Sequence, residues 1–402
     1  MRGGLKEAVI LCAGRSTRTY PMTLRKPKPM LKVANTRILE HLLRQLQGLI
    51  ERAVIVIGFE GEQLVRAFGE RFGDVRITYV EQSEQRGTGD ALLTAESHLG
   101  ESFLMLNGDD LLKREAIEML TYHELCVLAA PHPQPWRFGV LITEGEFVKA
   151  ICEKPKGAPP NSLVSTGAYA LTRAVFEMLK RIQPAEGKEL MFTDVIPMLS
   201  SLGLRYEVTE DGWMPVTYPW DILLCTDWLM KGLNVRSISG YIGSGAKLIG
   251  PIEMGEGCHV GDDVIIHGPC KLGDDVRIGE RTVIRSCAIG DGVSIGQDCD
   301  LDGCVIYDGV RIGNGVRLRR SVVGDFVTIC DGVSTRTEPR DGRTVISVVK
   351  GESIDTGLSD VGAFIGDGAL IGEGCTLMAG VKVWAGARIP PRCTVEADVI
   401  EG

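Results

Sequence analysis

The sequence has no long hydrophobic run, and this absence argues against a protein that crosses a membrane through helices. Nowhere in its 402 residues do 18 apolar residues follow one another, whereas a spanning helix needs about 20. The apolar run in the N-terminal stretch MRGGLKEAVILCAG is too short for a signal peptide, and charge follows it closely. We therefore expect a cytoplasmic protein.

A net positive charge and closely paired cysteines are also lacking. The net charge is -9 at pH 7, and affinity for nucleic acid or for acidic membrane surfaces comes mainly from basic residues. We therefore expect neither nucleic acid nor a membrane as a partner. The 12 cysteines stand singly, with no C-x-x-C pair, which favours reduced and mostly buried thiols over disulfides or structural zinc.

What the chain does have is enough length for two domains, and two patterns divide it near residue 235. In residues 1–235, apolar strands such as EAVILCAG and RAVIVIGF alternate with amphipathic helices such as ILEHLLRQLQGLI. This order predicts an α/β fold, a Rossmann-like domain with a mainly parallel sheet. Ligands of such sheets bind at the carboxyl ends of the strands, where LCAGRSTR and LMLNGDD lie.

Residues 236–402 follow a different pattern, with one aliphatic residue at every sixth position and a Gly often after it. The series has three one-residue slips and an interruption near residues 335–360. Its members are Ile242, Leu248, Met254, Val260, Ile266, Leu272, Ile278, Ile284, Ile289, Ile295, Leu301, Ile306, Ile312, Leu318, Val323, Ile329, Ile365, Ile371, Leu377, Val383, Ile389 and Val395. Such a repeat predicts a solenoid of three short strands per coil, and it resembles the left-handed parallel β-helix of hexapeptide-repeat proteins.

The interruption carries Pro339, Gly342, Gly351 and Gly357 together with many charges. We expect it to leave the solenoid as an exposed loop. Either it holds a ligand or a neighbouring subunit, or it is an excursion with no role.

The first strand is followed by a concentration of positive charge that is unusual in an acidic chain. In LCAGRSTRTYPMTLRKPKPM, five basic residues stand among small residues and prolines: Arg15, Arg18, Arg25, Lys26 and Lys28. Loop N–H groups and basic side chains at a strand end together suit a polyphosphate.

Four segments carry a family resemblance: AGRSTRTYPMT, KPKPM, EQRGTGDALLTA and LNGDD. They resemble the sugar-1-phosphate nucleotidyltransferases, and the likeness extends over the whole chain to two-domain members with a β-helix that make UDP-N-acetylglucosamine. The resemblance implies Mg²⁺-dependent transfer from a nucleoside triphosphate to a sugar 1-phosphate, with release of pyrophosphate. Both substrates are anionic, so such a catalyst must cancel their repulsion and stabilise the departing pyrophosphate.

The resemblance also implies roles for individual residues. Arg18 would hold the β and γ phosphates, Lys28 would reach the α-phosphate and Asp109 would bind the metal. The nucleotide would lie against Ala13, Gly14, Gln82, Gly87 and Thr88, with Gln82 on the base edge. The sugar phosphate would contact Gly139, Glu153, Lys154, Thr166 and Gly167, where Ser165 replaces the usual Asn.

Three positions depart from the family pattern. Ser16 replaces a Gly of the phosphate loop and would be strained if the position needs a positive φ. Pro215 replaces the second metal-binding Asp, so a metal would rest on Asp109, phosphate oxygens and water, with Asp211 or Asp221 as further candidates.

The third departure concerns the β-helix, which in the bifunctional relatives transfers an acetyl group from acetyl-CoA with a His as base. Asn314 stands at that position and cannot take up a proton at neutral pH, while His259 and His267 lie in early coils. Acetyl-CoA binding is thus a weaker expectation than a homotrimer assembled through the solenoid.

Three functions follow as alternatives. The first is an enzyme that uses UTP or dTTP with N-acetylglucosamine 1-phosphate or glucose 1-phosphate. The second is a mannose-1-phosphate guanylyltransferase. The third is a catalytically weak regulatory or binding homologue, which would bind nucleotide sugar without turnover.

Overall fold

The computed structural model describes residues 5–339 and 343–400, grouped in two compact units. The sheet unit comprises Met1–Arg15, Pro27–Met30 and Ile38–Pro215. The solenoid unit comprises Ser16–Lys26, Leu31–Arg37 and Val216–Gly402. The chain thus passes between the units several times within its first forty residues.

Among the described residues, fourteen strands precede residue 216, of which β2 and β3 belong to the solenoid unit. They are β1 Glu7–Leu11, β2 Lys32–Val33, β3 Thr36–Arg37, β4 Arg52–Ile57, β5 Arg71–Phe72, β6 Val75–Glu81, β7 Ser102–Asn107, β8 Asp110–Leu112, β9 Cys126–Pro131, β10 Gly139–Glu144, β11 Phe147–Glu153, β12 Leu163–Thr172, β13 Arg205–Val208 and β14 Trp213–Pro215. The helices are α1 Ile38–Leu46, α2 Gly61–Phe68, α3 Thr88–Thr94, α4 Arg114–Thr121, α5 Ala174–Arg181, α6 Ile196–Ser201 and, in the solenoid unit, α7 Asp221–Met230.

Ten strands of the sheet unit form one sheet in the order β10-β11-β13-β9-β12-β7-β1-β4-β6-β5. The predicted parallel arrangement holds at its centre, where β7, β1, β4 and β6 run parallel. Elsewhere the sheet is mixed, because β12 runs antiparallel to β7 and β9, and β10 and β11 form a hairpin. The hairpin needs only a short turn, whereas parallel neighbours need a crossover.

Helices cover both faces of this sheet, as the alternation of strands and helices predicts. In β1, Ala8 and Ile10 pack on one face with α1, α2 and α4, while Val9 and Leu11 pack on the other with α3, α5 and α6. Successive side chains of a strand point to opposite faces, so a strand buried on both sides is apolar throughout.

In the part of the solenoid unit that the structure describes, there are twenty-six further strands, each two to four residues long. They are β15 Arg236–Ser237, β16 Tyr241–Ile242, β17 Lys247–Ile249, β18 Ile252–Met254, β19 His259–Val260, β20 Ile265–His267, β21 Cys270–Leu272, β22 Arg277–Ile278, β23 Val283–Arg285, β24 Ala288–Ile289, β25 Ser294–Ile295, β26 Asp300–Asp302, β27 Val305–Ile306, β28 Arg311–Ile312, β29 Arg317–Arg319, β30 Val322–Val323, β31 Thr328–Ile329, β32 Ser334–Thr335, β33 Ile346–Val349, β34 Glu352–Asp355, β35 Phe364–Ile365, β36 Leu370–Ile371, β37 Thr376–Leu377, β38 Lys382–Val383, β39 Arg388–Ile389 and β40 Thr394–Val395.

Except for β33 and β34, these strands form three parallel eight-stranded sheets, each taking one strand from every coil. This is the predicted parallel β-helix, and the arrangement is consistent with the left-handed form. The aliphatic residues of the six-residue series stack in its core, with Ile242 and Leu248 partly buried at the first coil. The prediction that the aliphatic residues of the six-residue repeat form the core is therefore confirmed.

A ladder of side-chain oxygens explains the Gly that often follows the inward residue. In successive turns, Oδ1 of Asp291, Asp308 and Asp325 accepts the backbone N–H of the aspartate one coil earlier, at 2.9–3.0 Å. A Cβ at Gly290 would lie only 2.4 Å from Oδ1 of Asp308. The turn therefore needs both a Gly and an oxygen acceptor in the next coil.

The insertion differs from the exposed loop that its composition suggested. Its strands β33 and β34 form an antiparallel hairpin, in which Ser347 and Val349 are buried while Ile346 and Val348 are exposed. The hydroxyl of Ser347 donates to the carbonyl of Gly380 at 2.8 Å. Alternation of buried and exposed side chains is what a half-buried strand requires; Gly342 lies outside the described residues.

All 12 cysteines are free thiols, and most are buried, as expected. Within residues 5–339 and 343–400, no helix combines the length and apolar character that crossing a bilayer requires.

Candidate functional site

Several of the predicted site residues of the sheet unit lie where its central strands end. Leu11 of β1 is paired in parallel with Asn107 of β7, so the loops that carry Ala13, Gly14 and Asp109 leave the sheet side by side. Gln82 follows β6, two strands along in the same parallel set. The carboxyl edge of the sheet therefore gathers these residues, as such folds require.

Lys28 and Asp109 form an ion pair at this edge. The Nζ atom of Lys28 lies 2.8 Å from a carboxylate oxygen of Asp109, and the lysine side chain is buried whereas the aspartate is about one third exposed. Burial, and secondarily the charge of Asp109, raise the pKa of the neighbouring Cys12 thiol. The site thus holds one buried cation and one accessible carboxylate, with a protonated thiol beside them.

Asp110, which directly follows Asp109, begins β8 and is buried. The indole nitrogen of Trp213 donates to its Oδ2 at 3.4 Å. Pro215 of β14 is the antiparallel partner of Asp110. Position 215 therefore lies beside the residue that follows Asp109, and its proline side chain offers no oxygen to a cation.

The other two candidate metal carboxylates have structural partners. Asp211 is exposed and lies 2.5 Å from Nζ of Lys113. In the solenoid unit, Asp221 is buried and accepts the backbone N–H groups of Thr217 and Tyr218 at the start of α7. Across the described part of the chain, no three His, Cys, Asp or Glu side chains are arranged to hold a metal ion. Of the candidate metal carboxylates, Asp109 is the one that lies at the carboxyl edge of the sheet and is partly accessible, which fits a cation that also takes phosphate oxygens.

The amide group of Gln82 has a fixed orientation. Its Nε2 donates to Oδ2 of Asp90 at 2.8 Å and to the carbonyl of Gly87 at 3.1 Å. A carboxylate and a carbonyl can only accept, so nitrogen must face them and the Gln82 oxygen must point elsewhere. That oxygen is left as an acceptor for an N–H group.

Gln85, which sequence reasoning missed, links the two loops predicted to bind the nucleotide. Its Nε2 donates to the carbonyl of Ala13 at 3.1 Å. Gly87 has a φ of 103°, and a Cβ there would lie 2.3 Å from the carbonyl of Leu190, so only glycine fits. Thr88 begins α3, and its hydroxyl accepts the N–H of Phe192 at 2.9 Å.

Two residues predicted to bind the sugar phosphate are direct neighbours. Gly139 of β10 pairs with Glu153 of β11, and a Cβ at Gly139 would lie 3.0 Å from a Glu153 carboxylate oxygen. Lys154 follows with a positive φ of 47°, which is uncommon for a residue with a side chain. The backbone thus bends sharply where the predicted sugar contacts lie.

The strand β12 presents Ser165, Thr166 and Gly167 differently. The hydroxyls of Ser165 and Tyr169 are 2.8 Å apart, whereas the hydroxyl of Thr166 is buried and donates to the carbonyl of Leu128. A Cβ at Gly167 would lie 2.1 Å from the side-chain amide of Asn107. Asn107 is a second site residue that the sequence reasoning missed, although it precedes the predicted metal ligand by two positions.

Ser16 and Arg18 belong to the solenoid unit. Ser16 has a φ of 50°, so the position does adopt the left-handed conformation for which a Gly would be unstrained. Arg18 is exposed on the 3-10 helix Thr17–Thr19. It lines a cavity of about 670 Å³ together with Tyr20, Trp384 and Lys382 of the same unit.

Asn314 has a structural role in the solenoid. Its Oδ1 accepts the N–H of Gln297 at 3.1 Å, and its own N–H donates to Oδ1 of Asp331 at 2.8 Å. It is therefore one rung of a turn ladder. His259 lies in an early coil, exposed and stacked on Tyr241 with ring centroids 4.5 Å apart.

The ten-stranded sheet with helices on both faces defines an α/β fold, and the comparison with known sequences identifies the family. Residues 7–226, more than half of the chain, match the family described as nucleotidyl transferase. The chain belongs to this family. Residues 248–338 match a second model, described as the GMPPB C-terminal domain.

Several curated relatives are similar. The bifunctional protein GlmU of Methanococcus maripaludis is 33% identical over 255 residues, which cover 62% of this chain and 61% of that protein. The UTP–glucose-1-phosphate uridylyltransferase AglF of Haloferax volcanii is 35% identical over 54% of this chain and 93% of its own length. A protein of Oryza sativa named "probable mannose-1-phosphate guanylyltransferase 3" is 27% identical over 70% of this chain and 81% of its own. The chain thus matches about 61% of the length of the bifunctional relative.

Proposed function

We propose that the chain is a sugar-1-phosphate nucleotidyltransferase that uses UTP or dTTP with N-acetylglucosamine 1-phosphate or glucose 1-phosphate. The observation that supports this most is the family match over residues 7–226, which contains the Lys28–Asp109 pair at the carboxyl edge of the sheet. The names of the Methanococcus and Haloferax relatives favour these substrates.

In the proposed reaction, an oxygen of the sugar phosphate attacks the α-phosphorus of the nucleotide. A new P–O bond forms in line with the bond between the α-phosphorus and the oxygen that bridges to the β-phosphate. That bond breaks, and the β and γ phosphates leave together as pyrophosphate. Lys28 would stabilise charge at the α-phosphate and Arg18 charge on the β and γ phosphates. Asp109 would hold Mg²⁺, which when bound neutralises phosphate charge.

The base preference is argued from Gln82. Its nitrogen is engaged by Asp90 and Gly87, so its oxygen would accept the ring N–H of uracil or thymine. Cytosine and adenine present an unprotonated ring nitrogen there and would be disfavoured. Ala13, Gly14 and Thr88 would contact the rest of the nucleotide, and Gly139, Glu153, Lys154, Thr166 and Gly167 the sugar phosphate.

A mannose-1-phosphate guanylyltransferase is the second candidate. It is favoured by the match of residues 248–338 to the GMPPB C-terminal domain and by the name of the rice relative. Guanine also has a ring N–H, at N1, so the oxygen of Gln82 accepts from it equally well. The base argument therefore separates both candidates from adenylyl and cytidylyl transfer, but not from each other.

For the solenoid we propose trimer formation and not acetyl transfer from acetyl-CoA. Asn314 is held in the ladder by Gln297 and Asp331, and an amide takes no proton at neutral pH. The alternative to an active enzyme is a regulatory homologue that binds nucleotide sugar without turnover. The departures from the family pattern at Ser16, Pro215 and Asn314 favour it.

The test is pyrophosphate release with Mg²⁺, in which UTP, dTTP, GTP and CTP are each combined with three sugar phosphates. These are glucose 1-phosphate, N-acetylglucosamine 1-phosphate and mannose 1-phosphate. We expect a best pair that contains UTP or dTTP, and little release with CTP. Lys28→Met is the matched inactive control, because it keeps the length of the side chain and removes its charge.

Release with GTP and mannose 1-phosphate above every other pair would replace the first candidate by the second. No release from any pair, with nucleotide sugar still bound, would place the protein among regulatory homologues.

A further inference from the structure

A cavity of about 670 Å³ lies on the solenoid unit, beside the hairpin of β33 and β34. Three parts of that unit form its walls: the hairpin, residues 17–20 and the last turn at residues 396–400. Residues 379–384 of the coils lie between them. All of these belong to the solenoid unit, so the cavity is formed within one unit. Its volume is in the range of sites that hold small organic molecules.

Hydrogen bonds hold the hairpin and the last turn against the coils. The hydroxyl of Ser347 donates to the carbonyl of Gly380 at 2.8 Å, and Nζ of Lys382 donates to the carbonyl of Val348. The same Nζ lies 3.2 Å from a carboxylate oxygen of Asp398, whose other oxygen accepts the N–H of Lys382 at 2.9 Å. Buried Lys382 therefore ties two walls of the cavity to one coil.

The third wall is tied to late coils of the solenoid. The ring of Tyr20 lies edge-on to that of Trp384, with ring centroids 6.4 Å apart. Further along the same segment, Nζ of Lys26 forms ion pairs with Asp325 and with Asp367, the latter at 3.0 Å. All three walls are thus anchored, and the cavity is preformed, as ligand sites usually are.

The hairpin carries apolar side chains on its exposed face. In β33, Ser347 and Val349 are buried, whereas Ile346 and Val348 are 50% and 46% exposed and line the cavity. Ile400, which is also exposed, lines it from the last turn. A strand with one face in solvent usually has polar residues on that face. The apolar side chains here favour a ligand with an apolar body.

The ionisable residues of the cavity leave an excess of positive charge. Three cations and two carboxylates line it: Arg18, Lys350, Lys382, Glu396 and Asp398. Lys382 and Asp398 neutralise one another in the ion pair described above. Among the residues that the structure describes, neither Arg18 nor Lys350 has a hydrogen-bond or ion-pair partner for its side chain. Both are available to an anionic group, with which cations form strong hydrogen bonds.

Lys350 stands at a backbone position that is unusual for a lysine. Val349 pairs with Glu352, so Lys350 and Gly351 form a two-residue turn, with φ of 53° and 81°. Such turns favour Asn, Asp or Gly at the first of these positions, because the left-handed conformation strains longer side chains. Strained positions concentrate at functional sites, which favours a role for the charge of Lys350.

We propose that this cavity binds an amphipathic organic anion, a small molecule with one anionic group and an apolar body. Lys350 and Arg18 contact the anionic group, and the exposed apolar side chains of the hairpin and the last turn contact the body. The insertion in the six-residue series then holds a ligand on the solenoid. Binding includes no covalent step and does not depend on the proposed nucleotidyl transfer.

The test uses anilinonaphthalene sulfonate as a probe, which joins an aromatic body to one sulfonate and fluoresces on apolar surfaces. The full chain is titrated without nucleotide or sugar phosphate, and octyl phosphate, octanol and octyltrimethylammonium then compete with the probe. We expect octyl phosphate to displace the probe at a concentration about 10-fold below that of octanol, because only the phosphate gains from the cations. Octyltrimethylammonium should not displace it.

Two substitutions, each with a matched control, locate the site. Lys350→Gln removes a cation from the cavity, and Lys247→Gln removes an exposed lysine from an early coil. Val348→Asp places a carboxylate in the cavity, and Ile249→Asp places one at an apolar position that is also 46% exposed. We expect the Kd of octyl phosphate to rise about 3- to 10-fold in Lys350→Gln and about 10-fold or more in Val348→Asp, and to change less than about twofold in the controls. Arg18 is left unchanged, because it also has a proposed role at the nucleotide phosphates.

Equal displacement by octyl phosphate and octyltrimethylammonium would overturn the proposal, and so would equal effects of Lys350→Gln and Lys247→Gln. Failure of pyrophosphate release would contradict the proposed function alone, since the competition contains no nucleotide. The other occupant that an apolar surface suits is a second copy of the chain. In that case the wild type would not bind the probe, and Val348→Asp but not Ile249→Asp would lower the mass in light scattering, which would also overturn the proposal.

Discussion

Pro215 occupies the position at which the family resemblance implies a second metal-binding Asp. It lies in β14 as the strand partner of Asp110, next to Asp109. An oxygen ligand at this position would lie beside the carboxylate that we propose binds Mg²⁺. Its absence leaves the cation more dependent on the phosphates of the substrate.

We therefore predict that Pro215→Asp raises turnover and lowers the Mg²⁺ concentration needed for half-maximal pyrophosphate release by about 3- to 10-fold. A second carboxylate beside Asp109 repels it without a cation, so the gain should appear only with metal. The measurement is a Mg²⁺ titration of pyrophosphate release.

Pro215→Asn is the control, since it removes the proline and adds no charge. The same Mg²⁺ dependence in both variants, or none that differs from wild type, would show that position 215 is not a ligand site in this protein.

Among elements, the turns of the solenoid show how a repeat specifies its own geometry. Gly313 precedes Asn314, and a Cβ at position 313 would lie 2.2 Å from Oδ1 of Asp331 in the next coil. The same oxygen accepts the N–H of Asn314. A side chain at position 313 would therefore displace a rung of the ladder.

We predict that Gly313→Ala lowers the free energy of unfolding by about 1–3 kcal/mol through the lost hydrogen bond and the displaced backbone. Gly315→Ala is the control, because nothing lies within 4 Å of its Cβ and only the φ of 63° opposes it. That strain costs about 1 kcal/mol. Urea unfolding of the full chain should rank Gly313→Ala as the less stable variant, and equal midpoints would contradict the ladder as the reason for the repeated glycines.

The elements that could be predicted are those whose buried residues repeat at short intervals. The six-residue series and the apolar strand β1 belong to this group, because each pattern reports burial along one segment. The antiparallel course of β12 was not predictable, since it depends on pairing with β7 and β9, and no local pattern reports that choice.

Contacts over long distances in the sequence were equally hidden. Lys26 and Asp325 are separated by 299 positions, and nothing near either residue signals the other. Gln85 and Asn107 were missed for a related reason, because their hydrogen-bonding or steric partners become evident only when the strands are side by side. The loop signatures indicated Lys28 and Asp109, but not that they pair.

At the scale of the whole molecule, the proposed trimer can be tested directly, because the surface of one chain indicates where the copies would meet. The solenoid sheet that contains β28, β31, β36 and β39 carries a surface concavity of about 680 Å³. Leu370 lines it together with two cations and two carboxylates: Arg311, Arg388, Asp331 and Glu373. A surface that carries both signs of charge and an apolar side chain can contact another copy of the chain without net repulsion. If the rotation that relates successive copies closes, the copies form a ring.

We predict a mass of about three times the 43.6 kDa of one chain in light scattering after gel filtration. Arg388→Glu should shift the mass toward that of one chain, because it places a third carboxylate in the concavity and removes a cation. Arg277→Glu reverses an exposed charge on an earlier strand of the same sheet and should leave the mass unchanged. A single-chain mass for the wild type would exclude the trimer, and equal effects of the two substitutions would show that this concavity is not where the copies meet.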